Sequence, residues 1–161
     1  MIIFTQTNYM KNQFATLIAI FVMALFIFSS CKKEDKVTTT PKTKTQLLTQ
    51  STWKFNGATV GGSDVAPFLQ ACQKDNILTF TAAGAGNVNE GALKCNSGDP
   101  QSTPFTWNFQ NGETVLFISA MLFTGGSSNF TLVSLTETQL VVSQIITVSG
   151  SSQNAVVTFI H

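Results

Sequence analysis

Arginine is missing altogether, and the nine lysines balance eight acids over 161 residues for a net charge of +1. Five of those lysines fall between Lys32 and Lys44. Beyond them Lys54, Lys74 and Lys94 face Asp64, Asp75, Glu90, Asp99, Glu113 and Glu137, which leaves the rest of the chain mildly acidic. Nucleic-acid binding draws on clustered basic side chains that displace counterions, so that class is excluded. Histidine occurs once, as His161, the last residue. Nucleophilic triads need an oriented imidazole, which that position is expected to hold poorly. Cys72, Cys95 and His161 are too few for four structural zinc ligands. Gly84-Ala85-Gly86 lacks the further glycines and the Gly-Lys-Ser ending of a phosphate loop. Asp64, Asp75, Glu90 and Asp99 show no EF-hand spacing. No cofactor, metal or catalytic residue is expected, and the chain reads as non-enzymatic.

Charge is also absent from Phe14 to Phe28, fifteen residues that end at Ser29-Ser30-Cys31. A membrane-spanning helix needs roughly 20 apolar residues, so the run suits the apolar region of a secretory signal, with Lys11 before it. Residues 1–9 carry no charge, which leaves Met10 as an alternative start to Met1. A cysteine after two small residues resembles the lipobox of bacterial lipoproteins, in which the thiol is lipidated and becomes the new amino terminus. Phe28 stands where that motif usually has leucine. The competing readings are an uncleaved membrane helix and an ordinary secreted protein. Each buried methylene contributes about 0.8 kcal/mol, so the several chains on a lipidated Cys31 would hold the protein on its membrane.

Lys32 to Gln46, KKEDKVTTTPKTKTQ, has one aliphatic residue, Val37. It cannot bury enough apolar surface to offset the entropy of ordering, so a disordered tether is expected over residues 31–46. Lys33-Glu34-Asp35 resembles the lysine-plus-acids signal that sends some lipoproteins of Bacteroidetes-type bacteria to the outer face of the outer membrane; a solvated linker is the plainer reading. With Cys31 lipidated, Cys72 and Cys95 remain as an even pair in an oxidising compartment. A bridge between them would close a loop of about 24 residues and add about 3 kcal/mol. Two free thiols are the alternative.

From Leu47 onward short strands alternate with turn residues. Trp53 and Phe55 share one face of a strand that ends near Val60, and Gly61-Gly62 turns the chain. Asp64 is placed to cap a short helix through Leu69 and Cys72. Strands are expected at Asn76–Thr81 and around Asn87–Glu90, with a turn at Gly84 and Gly86 and a loop from Lys94 to Pro104. Phe105, Trp107 and Phe109 alternate with Thr106 and Asn108, and Asn111-Gly112 marks a hairpin into Thr114–Ser119. Phe130–Leu135, Leu140–Val148 and Ala155–Ile160 complete about eight antiparallel strands. Hairpin-length links favour an all-β, up-and-down barrel with one short helix, since closure removes sheet edges. Leu140–Val148 is apolar on both faces, which suits one face toward the lumen and one under a covering helix or tether.

These residues resemble lipocalin-like lipoproteins of Bacteroidetes-type bacteria. The resemblance rests on Trp53 opening the first strand, Cys72 with Lys74-Asp75-Asn76 and Leu78-Thr79-Phe80, Glu90-Gly91 with Lys94-Cys95 and Gly98-Asp99-Pro100, and Trp107. Ser51 replaces the glycine found before the tryptophan in many lipocalins, and no arginine is present to pack across Trp53, so the closed end should be built differently. The domains implied are 1–30 signal peptide, 31–46 lipidated cysteine and tether, and 47–161 barrel. The resemblance implies a lumen lined by Trp53, Phe55, Phe80, Trp107, Phe109 and Phe130 that accepts a small apolar ligand, against a reading in which these aromatics are core. Trp53 is expected at the closed end and Trp107 beside the free space. The leading function is a membrane-tethered binding module in the cell envelope, on the outer membrane. The alternative is an interaction lipoprotein whose filled barrel presents loops to an envelope protein or glycan. A cavity of ~300 Å³ or more favours the first.

Overall fold

Among the described residues nine antiparallel strands form a single sheet, in which the last strand of the chain pairs back with the first. They are β1 (Trp53–Val60), β2 (Ser63–Asp64), β3 (Ile77–Phe80), β4 (Ala85–Asn89), β5 (Ser102–Gln110), β6 (Val115–Ile118), β7 (Asn129–Leu135), β8 (Gln139–Val148) and β9 (Ser151–Ile160). β2 pairs only with the end of β1, so the closed ring has eight strands, the up-and-down barrel expected from the sequence. The computed structural model describes residues 40–122 and 126–161, and its barrel belongs to a compact unit from Pro41 to His161. The signal peptide, Cys31 and Lys33-Glu34-Asp35 lie outside the described residues.

Alternation decides which side chains enter the barrel. Phe105 and Trp107 are buried on β5 while Thr106 and Asn108 are exposed. Leu140, Val142 and Gln144 turn inward on β8, and Ala155, Val157 and Phe159 on β9. On β1 the register shifts between Phe55 and Gly57, so a bulge changes the parity. Trp53 and Phe55 point inward before it, and Ala58 and Val60, which face Val157 and Ala155 across the ladder, do so after it. Gly86 lies within β4, not in the turn expected for it. A methyl group there would run into the Phe105 ring and stand 2.7 Å from the Thr79 carbonyl, so the missing side chain lets that ring lie flat on the strand.

Several expected boundaries move. β5 begins at Ser102 and takes in Pro104, which the sequence placed in a loop. The Asn111-Gly112 hairpin is a four-residue connection between Gln110 and Val115, with Asn111, Gly112 and Glu113 all at positive φ. The last hairpin turns earlier, at Ser149-Gly150, both at positive φ as a two-residue turn requires. The single helix expected after Asp64 is two pieces, a 3-10 turn at Ala66–Phe68 and a short helix, Ala71–Lys74, with Leu69 extended between them. Asp64 Oδ1 does accept the Ala66 N–H at 2.9 Å.

Lys44–Gln46, assigned to the tether by composition, begin helix α1 (Lys44–Thr49). The Thr43 hydroxyl accepts the Gln46 N–H, and the Gln46 side chain accepts the Thr43 N–H at 2.8 Å, a capping box that satisfies two end groups. Tertiary packing then fixes so short a helix, because Leu48 is fully buried. α1 closes one end of the barrel. Lys44 Nζ donates to the Glu113 carbonyl at 2.7 Å, and Gln50 Nε2 to the Glu137 carbonyl at 2.7 Å. No described helix covers the outer face of β8, where Ile145 is 65% exposed, so the covering helix or tether expected there is not found among the described residues.

Candidate functional site

The aromatic side chains fill the end of the barrel next to α1. Trp53 is fully buried and donates its Nε1–H to the Leu48 carbonyl at 2.8 Å. His161 lies against it, ring centroids 3.9 Å apart at 35°. The imidazole is oriented after all: its Nδ1 is 2.9 Å from the Thr52 carbonyl and its Nε2 3.2 Å from Gln50 Nε2. With the carbonyl accepting at Nδ1 and the amide donating to Nε2, the neutral ring satisfies both contacts. His161 thus occupies the face of Trp53 for which the sequence offered no arginine. Both hydrogen-bonding nitrogens face structural partners.

Phe80, Trp107 and Phe109 form a run of edge-on contacts, with centroids 5.7 Å apart for the first pair and 5.5 Å for the second. Trp107 Nε1 lies 3.1 Å from both the Thr81 and Ala85 carbonyls. Phe130 is 1% exposed within the same core. Five of the six aromatics expected to line a lumen therefore pack against one another, and only Phe55 borders open space. Trp107 sits inside this cluster and not beside the free volume, because its indole is anchored to the β3–β4 turn.

The free volume lies at the opposite end, where β1 finishes and β9 begins. A cavity of about 320 Å³ is bounded by Ala58, Val60, Ile146, Ala155 and Val157 from the barrel wall and by Val65 and Leu69 from the segment after β2. An adjoining lobe of about 190 Å³ shares Phe55, Gln73, Asn76 and Leu122 with it and adds Glu90 and Thr103. The opening follows from the strand pairing. β3 meets β1 only at Trp53 and Lys54, and β2 takes the same edge higher up, at Thr59 and Val60. Between them the segment from Val65 to Asp75 covers the gap in place of a strand.

Two devices hold that segment. Cys72 and Cys95 are disulfide-bonded, Cα atoms 5.2 Å apart, as expected from the even pair. Asp75 Oδ2 accepts the N–H groups of Ala92 and Leu93 at 2.9 and 2.8 Å, which pins the same loop. Gln73 and Asn76 flank these anchors and so are held at the junction of the two lobes. Asn76 Oδ1 is buried with no hydrogen-bond partner among the described residues. Gln144, 7% exposed, accepts the Ser127 N–H through Oε1 at 2.6 Å and does not line either lobe.

The sequence did carry a signal for this wall that aromatic content obscured. Ala155, Val157 and Phe159 alternate as plainly as the aromatics of β5, and Leu140 to Ile146 continue the pattern on β8. Small and β-branched side chains leave space where large rings fill it. No group of three His, Cys, Asp or Glu side chains is placed to hold a metal among the described residues.

Residues 49–142 match the family described as the lipocalin-like domain. No curated protein matches the chain. Among solved structures, the chain is similar to bovine odorant-binding protein complexed with its natural ligand, at 14% identity and a TM-score of 0.45, covering 75% of this chain and 74% of that one. It is likewise similar to the odorant-binding protein from bovine nasal mucosa, at 15% identity and a TM-score of 0.44 over the same shares.

Proposed function

The chain belongs to the lipocalin-like domain family, and on that premise we propose that it is a non-catalytic binding module for a small apolar ligand, tethered in the cell envelope by lipid on Cys31. The cavity of about 320 Å³ carries the reading, because its wall is mostly aliphatic and it is large enough for a small molecule. A barrel serving only to present loops to a partner has no need of that space, which favours the ligand over the interaction reading.

Ala155 is 8% exposed and its methyl group faces the cavity, so a large side chain there would occupy the ligand's volume. Ala155→Phe is expected to reduce binding of a neutral, environment-sensitive dye such as Nile red at least tenfold, with the melting transition retained. Equal dye binding by both proteins would place the ligand elsewhere. No dye binding at about 1 mM by the parent protein, where affinity corresponds to only about −4 kcal/mol, would return the barrel to the interaction reading.

Tethering rests on the apolar run that ends at Ser29-Ser30-Cys31. Replacing Cys31 with alanine should move the protein from the membrane to the soluble fraction. Retention on the membrane with an uncleaved amino terminus would refute it. The outer membrane, with display governed by Lys33-Glu34-Asp35, is the location this reading carries.

A further inference from the structure

We infer that the ligand is an amphiphile whose head group donates hydrogen bonds and is not anionic, with the head in the smaller lobe and the apolar body in the larger; this rests on reading the cavity as the ligand site. The two lobes differ in chemistry. Gln73 and Asn76 line both, but the larger is otherwise bounded mainly by aliphatic side chains, whereas the smaller adds Glu90 and Thr103. Among the described residues no lysine lines either lobe, and Glu90 is the one charged residue that does.

The one charged group there is an acceptor in want of a donor. The Glu90 carboxylate has no salt-bridge or hydrogen-bond partner among the described residues, and Asn76 Oδ1 has none either. Gln73 Oε1 is already engaged by the Gln70 N–H at 2.9 Å. Lys94, the lysine nearest to Glu90 in sequence, is turned to the Asp99 carbonyl at 2.7 Å. A carboxylate head would enter this lobe without a cation to pair with, beside a like charge, and lose its hydration. An ammonium or hydroxyl head would instead donate to Glu90, the stronger bond being the charged pair. Phe55 and Leu122, shared by both lobes, form the apolar passage along which the chain would run.

The test is competition against bound Nile red by decylamine, decanol and decanoate, each below its micelle concentration at neutral pH. The amine is expected to compete at least roughly tenfold better than decanoate, with the alcohol between them. In Glu90→Gln the amine should fall to the level of the alcohol and decanoate should improve. Equal competition by all three, or a preference for decanoate, overturns the head-group assignment while leaving the cavity as the site. Failure of all three to displace dye that Ala155→Phe does exclude overturns the amphiphile class alone. If Ala155→Phe leaves dye binding unchanged, the site itself is lost.

Discussion

Trp53→Ala should lower the stability of the barrel by about 3–5 kcal/mol, the range for truncating a buried tryptophan. Total stability of a domain this size is about 5–15 kcal/mol, so the loss is a large fraction of it. Three contacts disappear together. The indole is fully buried, its Nε1–H satisfies the Leu48 carbonyl at 2.8 Å, and its face carries the His161 ring. Leu48 would then lose both its packing and the partner that orients α1, and a carbonyl inside the barrel end would be left unsatisfied. Trp53→Phe keeps much of the volume and loses the donor, so roughly 1–2 kcal/mol is expected for it. Urea unfolding of both variants measures the difference. A change below about 1 kcal/mol in Trp53→Ala would mean that α1 and His161 do not depend on the indole.

Removing the Cys72–Cys95 bond should cost about 2–5 kcal/mol, the usual loss when a native bridge is taken from a small domain. The double substitution Cys72→Ser with Cys95→Ser avoids a stray thiol. The expected effect extends beyond stability. The bond joins the helix Ala71–Lys74 to the loop after β4, and Gln73 and Asn76 line both lobes of the cavity beside it. Without it the Asp75 carboxylate, bonded to the Ala92 and Leu93 N–H groups, is the remaining tie, so the cavity wall should loosen and dye affinity should fall along with the unfolding midpoint. An unfolding midpoint unchanged between the oxidised parent and the double variant would refute the stabilising role. Unchanged dye affinity would show that Asp75 holds the wall by itself.

The sequence by itself determined most of the strands, their order and, away from the β1 bulge, which faces are buried. Period-two alternation and turn chemistry are local, and Phe105-Thr106-Trp107-Asn108 places its rings on one face whatever the rest of the chain does. The cysteine bridge was legible from the count alone, since Cys72 and Cys95 are the two cysteines after Cys31. The start of the ordered unit was not. Thr43 to Gln46 is polar enough to pass for tether, and the capping box with the burial of Leu48 makes it the start of a helix. His161 seemed too loose to matter, yet strand closure brings the last residue to Thr52 and Trp53. The location of the cavity was out of reach for a related reason. Alternation says that Trp107 and Val157 both point inward, but free volume is what remains after side chains from distant strands have shared the interior. Rings from β3, β5 and β7 meet and fill one end, while the small side chains of β1 and β9, shifted by the bulge at Phe55 and Gly57, face one another at the other and leave it open. Facing is a property of a strand, and volume is a property of the whole barrel.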